Sequence, residues 1–218
     1  MSPRTVADHL RDEYFSLLSH IRDVTEELEA EIRYLLIPLM QGRERHERIV
    51  VKSRVKECES AINALMRRQE IWRFVESGST SCTLRTLNDL AGVRILAFPR
   101  YRVTEIDGVI RNRFNDWTSD PVPATPGTTN LLALKYHGYC SSREIRAEIQ
   151  VMSLLIGMYW EIEHAALYKP GDRLRGMEIS LKMQQRNSDV IRALNEFEVQ
   201  FESLVGETPS GSREGASR

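Results

Sequence analysis

From Leu10 onward, apolar residues recur at Tyr14, Leu17, Ile21, Val24, Leu28, Ile32 and Leu35, spacings of three and four that gather on one side of a helix. This periodicity predicts a long first helix ending between Pro38 and Gly42. Ile49 to Val55, with Val50, Val51 and Val55, predicts a short strand. A second helix is expected from Glu57 to about Glu76, where Ser77-Gly-Ser-Thr-Ser breaks it. Ala91 to Phe98 (AGVRILAF) is a dense apolar run of strand length stopped by Pro99, and Arg102 to Phe114 returns to helical spacing through Val103, Ile106 and Ile110.

The stretch Pro121 to Thr129, with three prolines and a glycine, reads as a loop leading into strands at Leu131 to Leu134 and Glu144 to Val151. A helix from about Ser153 to Leu167 follows, then a closing helix with the stripe Ile179, Met183, Val190, Leu194, Phe197, Phe201 and Leu204. That stripe suits either the chain's own sheet or a symmetric homo-oligomer, and the pattern leaves both open. The layout predicts an α+β fold, a small mixed β-sheet flanked by helices. One domain is expected over 1–206, with its core over 48–170, helical extensions at 6–41 and 175–205, and a disordered polar tail at 207–218.

Hydrophobic residues at 41% and charged residues at 28% fit a globular chain with a real core, and exclude a fibrous or disordered one. The formal net charge of -1 supplies no global field toward nucleic acid or an anionic membrane, so an anionic ligand must be held by a local cluster. Cys58, Cys82 and Cys140 are odd in number and lack CxxC spacing, which argues against a disulfide framework or a structural zinc site. Neither an apolar signal core nor a run of about 18 apolar residues is found, so a cytoplasmic location without membrane contact is expected.

Phosphoryl chemistry needs carboxylates for Mg²⁺, cations for phosphates and a planar clamp for a base. Asp89 stands at the mouth of the apolar strand, and Glu148 and Gln150 share one face of another, because side chains two apart in a strand point the same way. Spacing alone leaves Asp89 open between ligand and cap, and Glu148 between ligand and exposed strand residue. Arg43, Arg45, His46, Arg48, Lys52, Arg54, Lys56, Arg67, Arg68 and Arg73 form a locally basic region, either a solvated face or a polyphosphate binder. Tyr139, after Gly138, could stack on a base. His164, beside Glu163, reads as a metal ligand or a satisfied structural residue.

Taken in order, these segments resemble the synthetase domain of the RelA/SpoT family, in particular its small single-domain alarmone synthetases. Four blocks carry the likeness. They are Arg54-Val55-Lys56 with Glu59-Ser60 and Arg67-Arg68; Asp89-Leu-Ala-Gly-Val-Arg94; Lys135 with Gly138-Tyr139 and Ser141; and Glu148-Ile-Gln150 with Trp160-Glu-Ile-Glu163-His164 and Tyr168-Lys169. The resemblance implies a magnesium-dependent enzyme that moves the terminal pyrophosphate of ATP onto the ribose 3′-hydroxyl of GDP or GTP. It implies that Arg54 and Arg94 sandwich adenine, that Lys56 and nearby groups such as Ser60 meet the donor, and that Asp89 and Glu148 are the catalytic, Mg²⁺-binding carboxylates. Tyr139 would stack on the acceptor base with Lys135 and Gln150 beside it, and Glu163, His164 and Lys169 would support the site.

The sequence also departs from the family pattern. Arg143 stands where a histidine is usual, Met152 replaces the arginine after Glu-Ile-Gln-Ile, Ala64 replaces a lysine, and the segment between Ser141 and Glu148 is short. These departures fall on the acceptor side. They keep a second reading in view, a toxic small synthetase that modifies the 3′ end of tRNA and is paired with an antitoxin protein. A third reading is a catalytically silent domain that binds nucleotide or protein.

Overall fold

The computed structural model describes residues 5–67, 83–123, 131–140, 144–167 and 177–207, excepting the side chains of 164–167, 177–185 and 206–207. Helix α1 spans Val6–Leu35 and starts at a capping box, in which the Thr5 hydroxyl accepts from the Asp8 amide and the Asp8 carboxylate accepts from the Thr5 amide. Leu10, Tyr14, Leu17, Ile21, Val24, Leu28 and Ile32 are its buried side, as their spacing predicts. A short helix α2 (Ile37–Gln41) follows, with Pro38 in its first turn.

Strands β1 (Arg48–Val55), β2 (Ala91–Phe98), β3 (Thr118–Pro123), β4 (Leu131–Tyr139) and β5 (Arg146–Ser153) form one sheet in the order β1-β2-β5-β4-β3. β2 and β5 run parallel, and every other neighbouring pair is antiparallel. Helices α3 (Cys58–Arg67), α4 (Tyr101–Arg113), α5 (Leu154–Leu167) and α6 (Met177–Glu207) complete the elements among the described residues, with a 3₁₀ turn at Leu84–Thr86.

Because side chains alternate along a strand, the sheet has two unlike faces. One carries Ile49, Val51, Val93, Ile95, Leu134, Tyr136, Ile149 and Val151, all buried, beneath α1 and α4. The other is divided. Its apolar half, Val50, Leu96, Ala133, Met152 and Val122, packs under α5 through Leu154 and Trp160. Gly157 lets α5 come close, since a Cβ there would lie 2.3 Å from Leu96 Cδ2 and 2.9 Å from Met152 Sδ. The polar half carries the candidate chemistry.

The structure corrects three expectations. The proline-rich stretch is not all loop: Pro121 and Pro123 lie in β3, an edge strand, where a residue without an N–H is tolerated because one side of the strand has no partner. β4 runs on past Leu134 to Tyr139. On α6, Val190, Phe197 and Leu204 of the expected stripe are exposed, while Asn195 and Glu198 face inward and Glu198 bonds to Ser153 Oγ of β5. Phe201 packs on His46 and Phe98, whereas the side chains of Ile179 and Met183 lie outside the described residues. Also outside them are residues 68–76 of the second predicted helix, Cys82 and the 208–218 tail; the described Cys58 and Cys140 are free thiols. No helix is long and apolar enough to cross a membrane among the described residues.

The start of β1 is tied to α4 by a buried ion pair. Glu47, 1% exposed, accepts from Arg102 Nη2 at 2.5 Å, from the Glu44 amide at 2.8 Å and from the Tyr101 hydroxyl. Burial works to raise its pKa, but these donors outweigh it and hold the carboxyl down to about 2. Glu47→Gln, which strips the charge from a buried partner of Arg102, is expected to cost about 3 kcal/mol at pH 7 in denaturant unfolding. The folded-state pKa lies below the ordinary 4.5, so the wild-type advantage is fully present above pH 4.5 and fades as pH falls toward 2. A cost that stays constant across that range rules out the ion pair as its source.

Candidate functional site

The polar half of the second face is built by register. Arg54 pairs with Gly92, Gly92 with Glu148 and Glu148 with His137, forming one row across four strands. The next row is Lys52, Arg94, Gln150 and Lys135. Tyr139 and Arg146 form a further pair on the same face. Residues far apart in sequence thus meet because each sits at the same parity of its strand.

Arg54, Asp89, Gly92, Val93, Arg94, Glu148 and Gln150 line one concavity. Gly92 lines it without a side chain, and a Cβ there would meet the Glu148 carbonyl oxygen at 3.2 Å. Of the expected site residues, Lys56, Lys135 and Tyr139 border this group. Lys56, 8% exposed, is ion-paired with Asp89, and its carbonyl accepts from Tyr14 Oη of α1 at 2.7 Å. The loop holding Asp89 is fixed from two sides. Glu13 of α1 accepts from the Leu84 amide at 3.0 Å, and Arg146 Nη1 donates to Asn88 Oδ1 at 2.9 Å.

Glu148 is 8% exposed, which removes the reading of an exposed strand residue. Its carboxylate lies 2.9 Å from His137 Nε2 and 3.7 Å from Lys135 Nζ, and accepts from Gln150 Nε2. Burial pushes its pKa up, but the hydrogen bond to His137, the Lys135 charge and the Gln150 amide outweigh that and leave it below the ordinary carboxylate value. Arg94 donates from Nε to Gln150 Oε1 at 2.9 Å and from Nη1 to Glu161 Oε1 at 3.3 Å, with its Cζ 5.7 Å from the centre of the Trp160 ring. Glu161 also accepts from Lys52 Nζ at 2.7 Å. At the far end Arg146 lies over Tyr139, 5.1 Å from the ring centre, and Tyr139 is 43% exposed.

The structure does not gather every expected residue. Ser60 is exposed on α3, and Glu163 accepts from Asn187 of α6, whose Oδ1 in turn accepts from Tyr159 Oη at 2.6 Å. The side chain of His164, and the whole of Lys169, Ser141 and Arg143, lie outside the described residues. Two residues that sequence reasoning passed over belong to the group. His137 shares a face with Lys135 and Tyr139 through period-two alternation, a signal hidden while the strand was expected to stop at Leu134. Glu161 gave no signal beyond its place after Trp160.

Six cations, Lys52, Arg54, Lys56, Arg94, Lys135 and Arg146, stand here against four carboxylates, Asp89, Glu148, Glu161 and Asp120, the last paired in register with Lys135 at the edge strand β3. This half-face is therefore locally cationic in a chain of net charge -1. Among the described residues no three or more His, Cys, Asp and Glu are grouped as a metal cluster. Asp89 and Glu148, which line one concavity, supply the hard oxygen donors that suit Mg²⁺, an ion that commonly takes only one or two carboxylates and completes its shell from phosphates and water.

No protein-family model matches the sequence, and no curated protein matches it. Solved structures do. Small alarmone synthetase 1 from Bacillus subtilis aligns with a TM-score of 0.60 at 20% identity, over 90% of this chain and 100% of that one. The same protein bound to its product pppGpp aligns with a TM-score of 0.59 at 20% identity and the same coverage. A GTP pyrophosphokinase family protein from Streptococcus pneumoniae aligns with a TM-score of 0.61 at 22% identity, over 89% of this chain and 95% of that one. The fold is that of the small alarmone synthetases, and the α+β architecture with long terminal helices is theirs.

If His137 and its neighbours hold the Glu148 carboxylate down, His137→Phe leaves burial unopposed by that hydrogen bond. The Glu148 pKa then rises, as read by carboxyl-carbon NMR titration. An unchanged value overturns this account of the cluster.

Proposed function

We propose that the chain is a pyrophosphokinase that transfers the β,γ-pyrophosphate of ATP to the ribose 3′-hydroxyl of GDP or GTP, making (p)ppGpp-type alarmones. The observation that carries this reading is the meeting of Asp89, Glu148, Arg54 and Arg94 around one concavity, in the fold of proteins solved with AMPCPP and with pppGpp.

Adenine lies between the guanidinium groups of Arg54 and Arg94, and the triphosphate lies toward Lys56 and Asp89. The acceptor base stacks on Tyr139, with Lys135 beside Glu148. Mg²⁺, when held by Asp89 and Glu148, supplies neutralisation of charge on the phosphates. The acceptor 3′-oxygen attacks the β-phosphorus, its proton passes to the Glu148 carboxylate, the bond from the α,β-bridging oxygen to that phosphorus breaks, and AMP leaves. Glu148 is ionised at neutral pH and is held in one orientation by His137 and Gln150, so it is available as acceptor without rearrangement. Positioning and charge neutralisation supply most of the rate, as in phosphoryl transfer generally.

A second reading changes only the acceptor. β4 ends at Tyr139, which pairs with Arg146, so the β4–β5 connection is short, and Tyr139 is 43% exposed with Arg146 over it. An exposed aromatic beside an arginine suits the terminal base of a tRNA as well as a mononucleotide.

Purified protein with Mg²⁺ and γ-labelled ATP, offered GDP, GTP or bulk tRNA separately, is expected to label the guanine nucleotides and release AMP. Glu148→Ala should lower the rate by more than about a hundredfold. Label moving to tRNA instead, with a rate that falls steeply with salt, establishes the second reading. Absence of Glu148-dependent transfer to any acceptor overturns both. Gly92→Ala, which sets a methyl group 3.2 Å from the Glu148 carbonyl oxygen beside the concavity, is expected to weaken ATP binding in calorimetry.

A further inference from the structure

The surroundings of Arg94 set what it can do. Its Nε and Nη1 are taken at their edges by Gln150 at 2.9 Å and Glu161 at 3.3 Å, and its Cζ stands over the Trp160 ring, 5.7 Å from the ring centre. A phosphate is recognised through guanidinium N–H edges, ideally two at once, and two of the three nitrogens here are committed. The face away from Trp160 is the surface on offer, and a flat, charged, weakly hydrated face suits a nucleobase. Trp160 is itself fixed. It packs against Leu96, Ala133 and Met152, under the turn of α5 that Gly157 brings close to the sheet.

We infer that Trp160 is a positioning residue for the donor base: it backs the Arg94 guanidinium from behind, completing a stack in the order Trp160, Arg94, base, Arg54. This rests on the reading that Arg94 meets the base of ATP. Trp160 touches neither the substrate nor the reacting atoms. It restricts Arg94 to one plane before the nucleotide arrives, so less ordering remains to be done on binding. Glu161 fixes the same plane from its edge and balances Lys52 and Arg94 while the site is empty of phosphate.

The test measures binding of ATP and of inorganic tripolyphosphate, each with Mg²⁺, by calorimetry on the full chain. Trp160→Leu is expected to weaken ATP about fivefold and to leave tripolyphosphate unchanged, whereas Trp160→Phe, which keeps a ring behind Arg94, retains most of the ATP affinity. In the transfer assay the donor KM rises and kcat stays within about twofold. Equal weakening of ATP and tripolyphosphate, or a Phe variant no better than Leu, overturns the inference, because a purely structural role moves both ligands and ignores the ring. If Trp160→Leu does not fold, Trp160→Met, which refills the apolar cluster without a ring, serves in the same comparison. Arg94→Ala separates the two levels of failure. Unchanged ATP binding in that variant overturns the base-clamp reading itself, while weakened binding beside an unaffected Trp160→Leu overturns only the role of Trp160.

Discussion

The candidate site depends on the parallel register of β2 and β5, which sets Gly92 beside Glu148 and Arg94 beside Gln150. Strand side chains alternate with period two, so a slip of one residue by either strand would turn Arg94 or Glu148 into the apolar layer under α1 and bring Val93 or Ile149 to the opposite face. The core itself forbids that slip. Val93, Ile95, Ile149 and Val151 are at most 2% exposed, and burying charge in their place would cost far more than any gain at the site. The geometry of the polar rows is thus enforced from the opposite side of the sheet, by packing that has no part in the chemistry.

Within that frame the charges are arranged before any ligand is bound. Asp89 is paired with Lys56, Glu148 with His137 and Lys135, and Glu161 with Lys52 and Arg94. Each of these three has at least one cation, and cations remain in excess, with Arg54 lacking an acidic partner among the described residues. On the proposed reading, an incoming polyphosphate would meet groups already held in place, and little reorganisation would be needed in the transition state. The same pairs restrain the site when it is empty, because like charges on neighbouring strands would otherwise repel.

Much of this was legible in the sequence because it follows from local pattern. AGVRILAF is β2 from end to end, and the apolar spacing of α1 named its buried side. The pairing of Glu148 and Gln150 on one face needs only the two-residue repeat. Illegible features were those that depend on what packs where. Pro121 and Pro123 mark a loop in isolation, and only the edge position of β3 makes them strand residues. The α6 stripe predicted a buried side, yet the side turned inward carries Glu198, matched to Ser153 of β5, and leaves Phe197 half exposed. His137 was missed because the apolar run it belongs to ends before it. Glu163 sits near the site in sequence but on the side of α5 that meets α6, a matter of helix rotation that a motif does not encode.

One departure from the family pattern gains a physical meaning from the packing. Met152, standing where an arginine is usual after Glu-Ile-Gln-Ile, is 1% exposed and lies beneath α5 with Leu96 and Ala133. A charged side chain in that place would demand a partner or hold α5 away from the sheet. Methionine, flexible and apolar, fills the space and allows the close approach at Gly157. That approach brings Trp160 onto the apolar half and Glu161 to its border, where both reach Arg94. Met152 pairs with Leu96, and Arg94 lies two residues before Leu96 on the same strand, so the packing under α5 adjoins the support of Arg94. Within one face of the sheet, an apolar residue packed under α5 thus lies next to the charged row that it helps to hold in place.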